Sequence, residues 1–352
     1  MLISQIPTPA LVVDMDALER NHEKMMKTVR DLGLRLRPHY KSHKSTVLAH
    51  YQVANGACGV CCAKLSEAED LILSGVEDVM IANQVTDEGK LLHLAQLAGC
   101  CTLSVCVDDG ENVKKLADAA AFCGSKIGCW VEYDVGMGRC GVTGVQEVLA
   151  LIRLVEAEPS LTFAGVQAYG GHIAHEEDPA ARESHVQAIE ARIRSLLSYL
   201  EENGVSVPQV GGVSTGTVIN RRKGTVYTEL QAGSYLFMDA AYGRVGADFE
   251  HSLFVLAGVV SADGEHVVTD AGVKSVAVDQ GPPVFVDFPG VQAEVHEEHS
   301  FVRAENTCRP GDRLRLIPGH CCATVNLHDF LYLTRGDRVV DRIPVTSRGK
   351  SR

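Results

Sequence analysis

Positive charge is in short supply in this sequence. Lys and Arg total 33 against 45 Asp and Glu, a formal net charge of −12. Phosphate-backbone binding needs a basic footprint, so nucleic acid is excluded as a partner. Long apolar runs are missing too. None approaches the roughly 18 residues of a membrane span, which excludes a transmembrane helix. The opening "MLISQIPTPALVVD" has no basic stretch, no extended apolar core and no small-residue cleavage site, so no secretory signal is read there. Short repeats, low-complexity tracts and disordered linkers are absent. Cysteine is not scarce, at twelve, but most lie in strand-like apolar runs ("GVCCA", "LSVCVDD", "IGCWVEYD"), where a thiol acts as a small buried hydrophobe. A large chain without a secretion signal keeps them reduced, and the expected location is cytoplasmic.

What is present is rhythm. At 352 residues the chain has room for two domains, or for one large barrel with an appendage. After residue 15, strand-like and helix-like segments alternate. Asp16 is placed to cap a helix through about Leu32, and "LRLRPHY" follows as a strand. "SEAE" at 66–69 reads as a capping box, Ser66 answering Glu69, and Gly75 closes that helix. Further strands fall at 58–63, 78–83, 101–109, 126–134, 161–170, 208–215 and 227–235, most followed by helical sequence. Eight such units over about 210 residues predict a (β/α)8 TIM barrel. From about residue 250, short strands separated by Gly, Pro and Asp turns take over with no helical period, predicting a C-terminal β domain. "PALVVD" is left over and is expected to pair into it. The expected division is a barrel over 23–245 and a β domain from 1–22 and 246–352.

A barrel of this kind works at the carboxyl ends of its strands, with phosphate bound after strands seven and eight. Those ends carry "RPHYKSHK" (37–44) with Lys41, "DVGMGRCG" with Arg139, "YGGHIAH" with Tyr169 and His175, then "GGVSTGT" and "AGSY". Two Gly/Ser/Thr loops suit phosphate oxygens, and a phosphate cradle facing one lysine points to pyridoxal phosphate held as a Schiff base. Lys44 is the rival lysine, three residues on. Which of His39 and His43 packs inward and which faces solvent stays open. Taken singly, Tyr169 and His175 read as ordinary core and loop residues.

Other motifs carry less. "GMGRCG" at 136–141 fits G-x-G-x-x-G, but the acidic residue due about 20 positions later should end a strand, whereas Glu156 and Glu158 end a helix. "CGVC" at 58–61 has no second pair to complete a zinc site and reads as core packing. In "PGHCCATVNLHD" (318–329), His320 and Cys322 would share one side of an extended segment. Imidazole with thiolate suits zinc or another transition metal, while Cys321 points away into packing.

Taken together, "RPHYKSHK", "MGRCGV", "QAYGGHIAH", "ELQAGSYLFMDAAYGR", "EEHSFV", "PGHCCATVNLHD" and "SRGK" resemble the D-threonine aldolase and D-serine dehydratase family, the metal-activated branch of fold-type III pyridoxal phosphate enzymes. The resemblance spans nearly the whole chain. It implies an alanine racemase-like barrel with a C-terminal β domain, assembled as a head-to-tail homodimer. Lys41 is then implied to carry the cofactor and Arg139 to face its pyridine nitrogen. Tyr169, Thr215, Gly216, Ser234 and Tyr235 are implied to hold ring and phosphate, and His320 with Cys322 to bind a divalent metal (Mn, Mg or Zn). On this reading the basic cluster at 37–44 receives a phosphorylated cofactor and an anionic amino acid.

Family aldolases carry His-x-Asp at the metal pair and dehydratases the cysteine, yet "SYLFMDAAYGR" and "QAYGGHIAH" resemble the aldolases. The larger number of residues favours an aldolase that cleaves D-3-hydroxy amino acids to glycine and an aldehyde, with His175 taking the β-hydroxyl proton. The alternative is a D-serine or D-3-hydroxyaspartate dehydratase that yields a keto acid and ammonia. A racemase would leave the metal pair without a task, and a non-catalytic cofactor carrier would leave the β domain without one.

Overall fold

A computed structural model describes residues 1–352, which divide into two compact units. One comprises 26–41, 48–233 and 350–352, the other 1–25, 42–47 and 234–349.

The first unit is the barrel. Its strands run Arg35–Leu36, Val60–Cys62, Asp78–Ile81, Thr102–Val107, Ile127–Glu132, Leu161–Gln167, Val210–Gly212 and Glu229–Leu230. They pair in parallel in chain order, the eighth returning to the first in the register Arg35↔Glu229. A parallel bridge His39↔Cys61, with the Cys58 N–H on Leu36 O and the Cys61 N–H on Pro38 O, joins the first strand to the second. All eight expected strands are present, shorter than their apolar runs. Side chains that point inward fill the barrel: Cys61, Met80, Cys106 and Trp130 form one buried cluster, and the Trp130 Nε1–H donates to Ser104 Oγ at 3.2 Å.

Caps explain where the helices start. Asp87, Asp109 and Asp178 each accept a backbone N–H from the first turn of the helix that follows, satisfying donors with no intrahelical partner. Two caps differ from expectation. Asp14, not Asp16, starts helix Met15–Leu32, its Oδ1 accepting from the N–H groups of Asp16 and Ala17. Helix Leu65–Leu73 is capped by Glu67, whose Oε2 accepts from the Ala63 and Lys64 N–H groups, while Ser66 donates to Arg352 O and Glu69 pairs with His93. The N-cap is Lys64, two residues before the proposed Ser66, so the glutamate in register to reach back is 67.

The second unit is a mixed β-sheet. Its order is Glu294–Val295, Ser300–Arg303, His266–Thr269, Leu253–Ala262, Ala10–Asp14, Phe330–Arg335 and Arg338–Pro344, with Arg313–Ile317 also pairing the Leu253–Ala262 strand. The N-terminal strand does join it, antiparallel to Leu253–Leu256 and parallel to Leu331–Thr334. A core of Ile6, Ala10, Val12, Phe254 and Leu256 lies beneath. The region is not free of helix: Cys321–Val325 forms a short one. No helix of the chain is long and apolar enough to cross a membrane.

Candidate active site

Parallel strands leave the loops that follow them at one end of a barrel, and there His39, Lys41, Ala63, Ala82, Asn83, Arg139, Gln167, Tyr169 and Gln231 line a cavity of about 190 Å³. Lys41 sits in the 3-10 turn Tyr40–Ser42 after the first strand, and its backbone N–H is held by His39 Nδ1 at 3.3 Å. The Arg139 guanidinium lies over the Tyr169 ring, 5.7 Å from its centroid, within cation–π range. Buried Gln167 and Gln231 bond each other at 2.7 and 3.0 Å. The lining holds cations, carboxamides, an imidazole and a phenol, but no carboxylate. A wall of that chemistry favours an anion, and Lys41 is its only amine. These residues therefore fit pyridoxal phosphate, an anionic aldehyde.

The basic cluster 37–44 does not act as one receptor. Arg37 is buried, its guanidinium bonded to Asp78 at 2.6 Å and Glu229 at 2.9 Å, tying the first, third and eighth strands together. Lys44 is buried in the β unit with Nζ 3.5 Å from Ser347 O. His43 is buried rather than solvent-facing, edge-on to Phe237, and His39 is the histidine in the cavity lining. Of the three cations, only Lys41 lines the cavity.

The loop that carries Arg139 folds around a carboxylate. Asp134 accepts the N–H groups of Gly136, Met137 and Gly138 at 2.8 to 3.2 Å. Burial opposes the charge, but these three donors outweigh it and hold the Asp134 pKa below the usual value. Gly141 is required at its position: at φ +95° a Cβ would lie 2.9 Å from both Asp134 N and Glu132 O. The G-x-G-x-x-G match is thus a turn whose amides are already occupied, which disposes of the dinucleotide reading. The C-x-x-C pair is equally inert. The Cys58 thiol donates to Glu229 and Cys61 to Arg37 O, and burial, aided by the Glu229 charge, pushes Cys58 up to about 12.

The remaining predicted residues lie elsewhere. Thr215 and Gly216 open the 3-10 turn Thr215–Asn220, both buried, after Ser214, which bonds Thr217. His175 is exposed in the turn after Gly171–Ile173 and is not among the cavity-lining residues.

The β unit holds the rest of the predicted set. Tyr235 is fully buried, its hydroxyl 2.9 Å from His22 Nδ1. The segment 318–322 is not extended throughout: His320 is the N-cap, and Cys322 the second residue, of helix Cys321–Val325. The two side chains still meet. Burial disfavours a charged His320, but the bonded Cys322 and then Asp279 outweigh it and push its pKa up to about 9. His320 Nδ1 bonds Asp279 Oδ2 at 2.7 Å. Cys322 Sγ lies 3.4 Å from Ser42 Oγ and 3.5 Å from Ser234 Oγ. Buried Asp239 accepts both the Cys321 N–H and the Tyr242 N–H, each at 2.9 Å. No group of three or more His, Cys, Asp and Glu side chains is arranged around one point. An imidazole anchored through one nitrogen beside a thiol nevertheless fits a borderline divalent ion with open positions. Asp279, Asp239, His22 and Ser42 were missed from sequence because each lies far along the chain from the residue it supports.

A barrel with one lysine in its cavity, joined to a β unit bearing a His–Cys pair, defines a chain of alanine racemase-like architecture. The family model for the alanine racemase N-terminal domain matches residues 13–241, and that for the putative serine dehydratase domain matches 252–334. The chain belongs to the D-threonine aldolase and D-serine dehydratase family. It is 38% identical to the 3-hydroxy-D-aspartate aldolase of Paracoccus denitrificans (strain Pd 1222), covering 99% of this chain and 93% of that one. It is 39% identical to the D-threonine aldolase of Arthrobacter sp, covering 99% and 95%. The crystal structure of D-threonine aldolase from Filomicrobium marinum superposes with a TM-score of 0.95 at 37% identity, over 100% and 99% of the two chains. D-threo-3-hydroxyaspartate dehydratase from Delftia sp. HT23 gives 0.88 at 26% identity, over 97% and 98%. Solved variants of that dehydratase replace a histidine and, two positions later, a cysteine by alanine, the cysteine variant being in a metal-free form.

Proposed function

We propose that this chain is a pyridoxal phosphate- and divalent metal-dependent aldolase that cleaves D-3-hydroxy amino acids of the D-threonine type to glycine and an aldehyde. The observation that carries it is identity of 38–39% along nearly the full chain to two aldolases, against 28% to the dehydratase of Delftia sp. (strain HT23). When bound, the cofactor withdraws electrons from the substrate's Cα and the metal acidifies its β-hydroxyl.

The chain's own residues divide the remaining work. Lys41 Nζ holds the cofactor. Arg139, braced on Tyr169, faces the ring nitrogen with a cation that does not give up its proton. Thr215, Gly216, Ser234 and Tyr235 hold the phosphate end, and His320 with Cys322 holds the metal. His175 takes the β-hydroxyl proton, directly or through a water; it lies in an exposed turn after Gly171–Ile173. A homodimer in the cytoplasm completes this reading, resting on the family resemblance and on the reduced cysteines.

One observation favours a second reading. The His-x-Cys spacing of 320–322 matches that of the replaced residues in the dehydratase variants. In a dehydratase, Lys41 would remove the Cα proton and the β-hydroxyl would leave. Incubation with D-threonine, D-serine and both D-3-hydroxyaspartate diastereomers, with and without chelator, separates the two. Glycine with an aldehyde is expected; ammonia with a keto acid would establish the dehydratase instead.

A further inference from the structure

His320 is the better buried member of an ion pair whose carboxylate comes from 41 residues away. Asp279 Oδ2 lies 2.7 Å from His320 Nδ1, with side-chain exposures of 51% and 24%. An exposed pair of this kind contributes little stability, yet the backbone around it is built for close approach. A Cβ on Gly319 would fall 1.9 Å from Gly281 O, so only glycine lets the 279–282 turn rest directly on the residue before His320. Asp279 and Gly281 are bridged to each other, and Arg244 Nη2 holds Gln280 O at 3.0 Å. On the other side, Asp239 fixes the Cys321 N–H, and Thr324 Oγ1 donates to His320 O at 2.8 Å while accepting from the Ala277 N–H. Both the histidine's backbone and the carboxylate's turn are therefore pinned independently of the ion pair.

We infer that Asp279 is a positioning residue for metal binding: it engages Nδ1 of His320, fixes the ring's orientation and leaves Nε2 as the ligand nitrogen beside Cys322. This rests on the proposal that His320 and Cys322 hold the metal. A carboxylate on the far nitrogen of a ligating imidazole fixes its tautomer and raises its basicity, and a carboxylate at this position does not itself need to coordinate.

The test is titration of the metal-free protein with Co²⁺, read by thiolate-to-cobalt charge-transfer absorption and the visible d–d envelope, with thermal melts of each metal-free variant. The wild type is expected to bind one ion, and His320→Ala to lose it. Asp279→Ala should weaken binding by about 10- to 100-fold, the range typical of outer-shell partners, with its melt and d–d envelope at saturation unchanged. Asp279→Asn, which keeps an oxygen acceptor without the charge, should fall between. If Asp279→Ala binds as tightly as wild type, the inference is overturned while the metal site stands. An altered d–d envelope at saturation would overturn it differently, by making Asp279 a ligand. No charge-transfer band in the wild type would overturn the metal reading itself.

Discussion

The barrel and the β unit each hold half of the proposed machinery by opposite means. In the barrel, Lys41, Asn83, Arg139, Tyr169 and Gln231 come from distant stretches of chain, and strand pairing alone gathers them at one cavity. In the β unit, His320 and Cys322 are neighbours in sequence, and their supports Asp279, Asp239, Ser42 and Ser234 come from afar. The barrel finds its site by topology; the β unit places a short motif and braces it. Substitutions in the barrel lining should therefore remove function cleanly. Those at the supports should loosen a site that still exists.

The largest effect should fall on the two lysines of one motif. Lys41→Ala is expected to reduce turnover to background and to abolish the visible cofactor absorbance. Lys44→Ala, at a buried residue whose ammonium lies 3.5 Å from Ser347 O and outside the cavity lining, should keep that absorbance and lose stability alone. Equal loss of absorbance in both variants would break the distinction. Next comes His175→Ala, expected to lower kcat by about 10²- to 10⁴-fold, the range for a positioned proton acceptor. Cofactor absorbance should be retained, because the residue is exposed and does not line the cavity.

Much of this was legible because periodicity is a local signal. Eight strand–helix units announced a barrel, and the barrel then said where to look, which is how Lys41, Arg139 and Tyr169 were found together. What was not legible follows from the same physics. A two-residue change in where helix Leu65–Leu73 begins moves its cap from Ser66 to Lys64, so the answering carboxylate becomes Glu67. The charge cluster 37–44 reads as one receptor in sequence because sequence gives no direction to a side chain. Arg37 turns to buried Glu229 and Asp78, whose positions 192 and 41 residues away no local pattern reveals. His320 and Cys322 do meet, but not on the extended segment that their spacing suggests: a buried carboxylate at Asp239 supports a turn of helix there.

That misread arginine gives the largest expected stability effect. Removing one partner from a buried, hydrogen-bonded ion pair leaves the other charge uncompensated and costs about 3–5 kcal/mol. Arg37→Ala strands Glu229, which is fully buried, and should lower the unfolding free energy by that amount, read as a lower urea midpoint. Arg37→Met with Glu229→Gln should recover part of it, since a neutral pair needs no compensation. A single variant with a wild-type midpoint would show that the barrel closes without this tie.

The smallest effect concerns how the Arg139 loop is held, and its sign can be derived. Asp134 is stabilised as a carboxylate by the N–H groups of Gly136, Met137 and Gly138, which hold its folded pKa below the ordinary value against the opposing effect of burial. The unfolded chain therefore binds this proton more readily than the folded one, and the contribution is complete above the unfolded aspartate pKa of about 4. It declines as pH falls through the folded value. Asp134→Asn keeps the shape and an oxygen acceptor but cannot titrate. Its stability deficit against wild type, read by urea unfolding, should be constant between neutrality and about pH 5 and shrink below about pH 4. Protection of the Met137 and Gly138 amides, relative to the intrinsic exchange rate at each pH, should fall over the same acid range in wild type only. A deficit that persists unchanged down to pH 3 would mean that the oxygen's geometry, rather than its charge, organises the turn. The loop would then belong with the β unit's supports, as a motif held by shape.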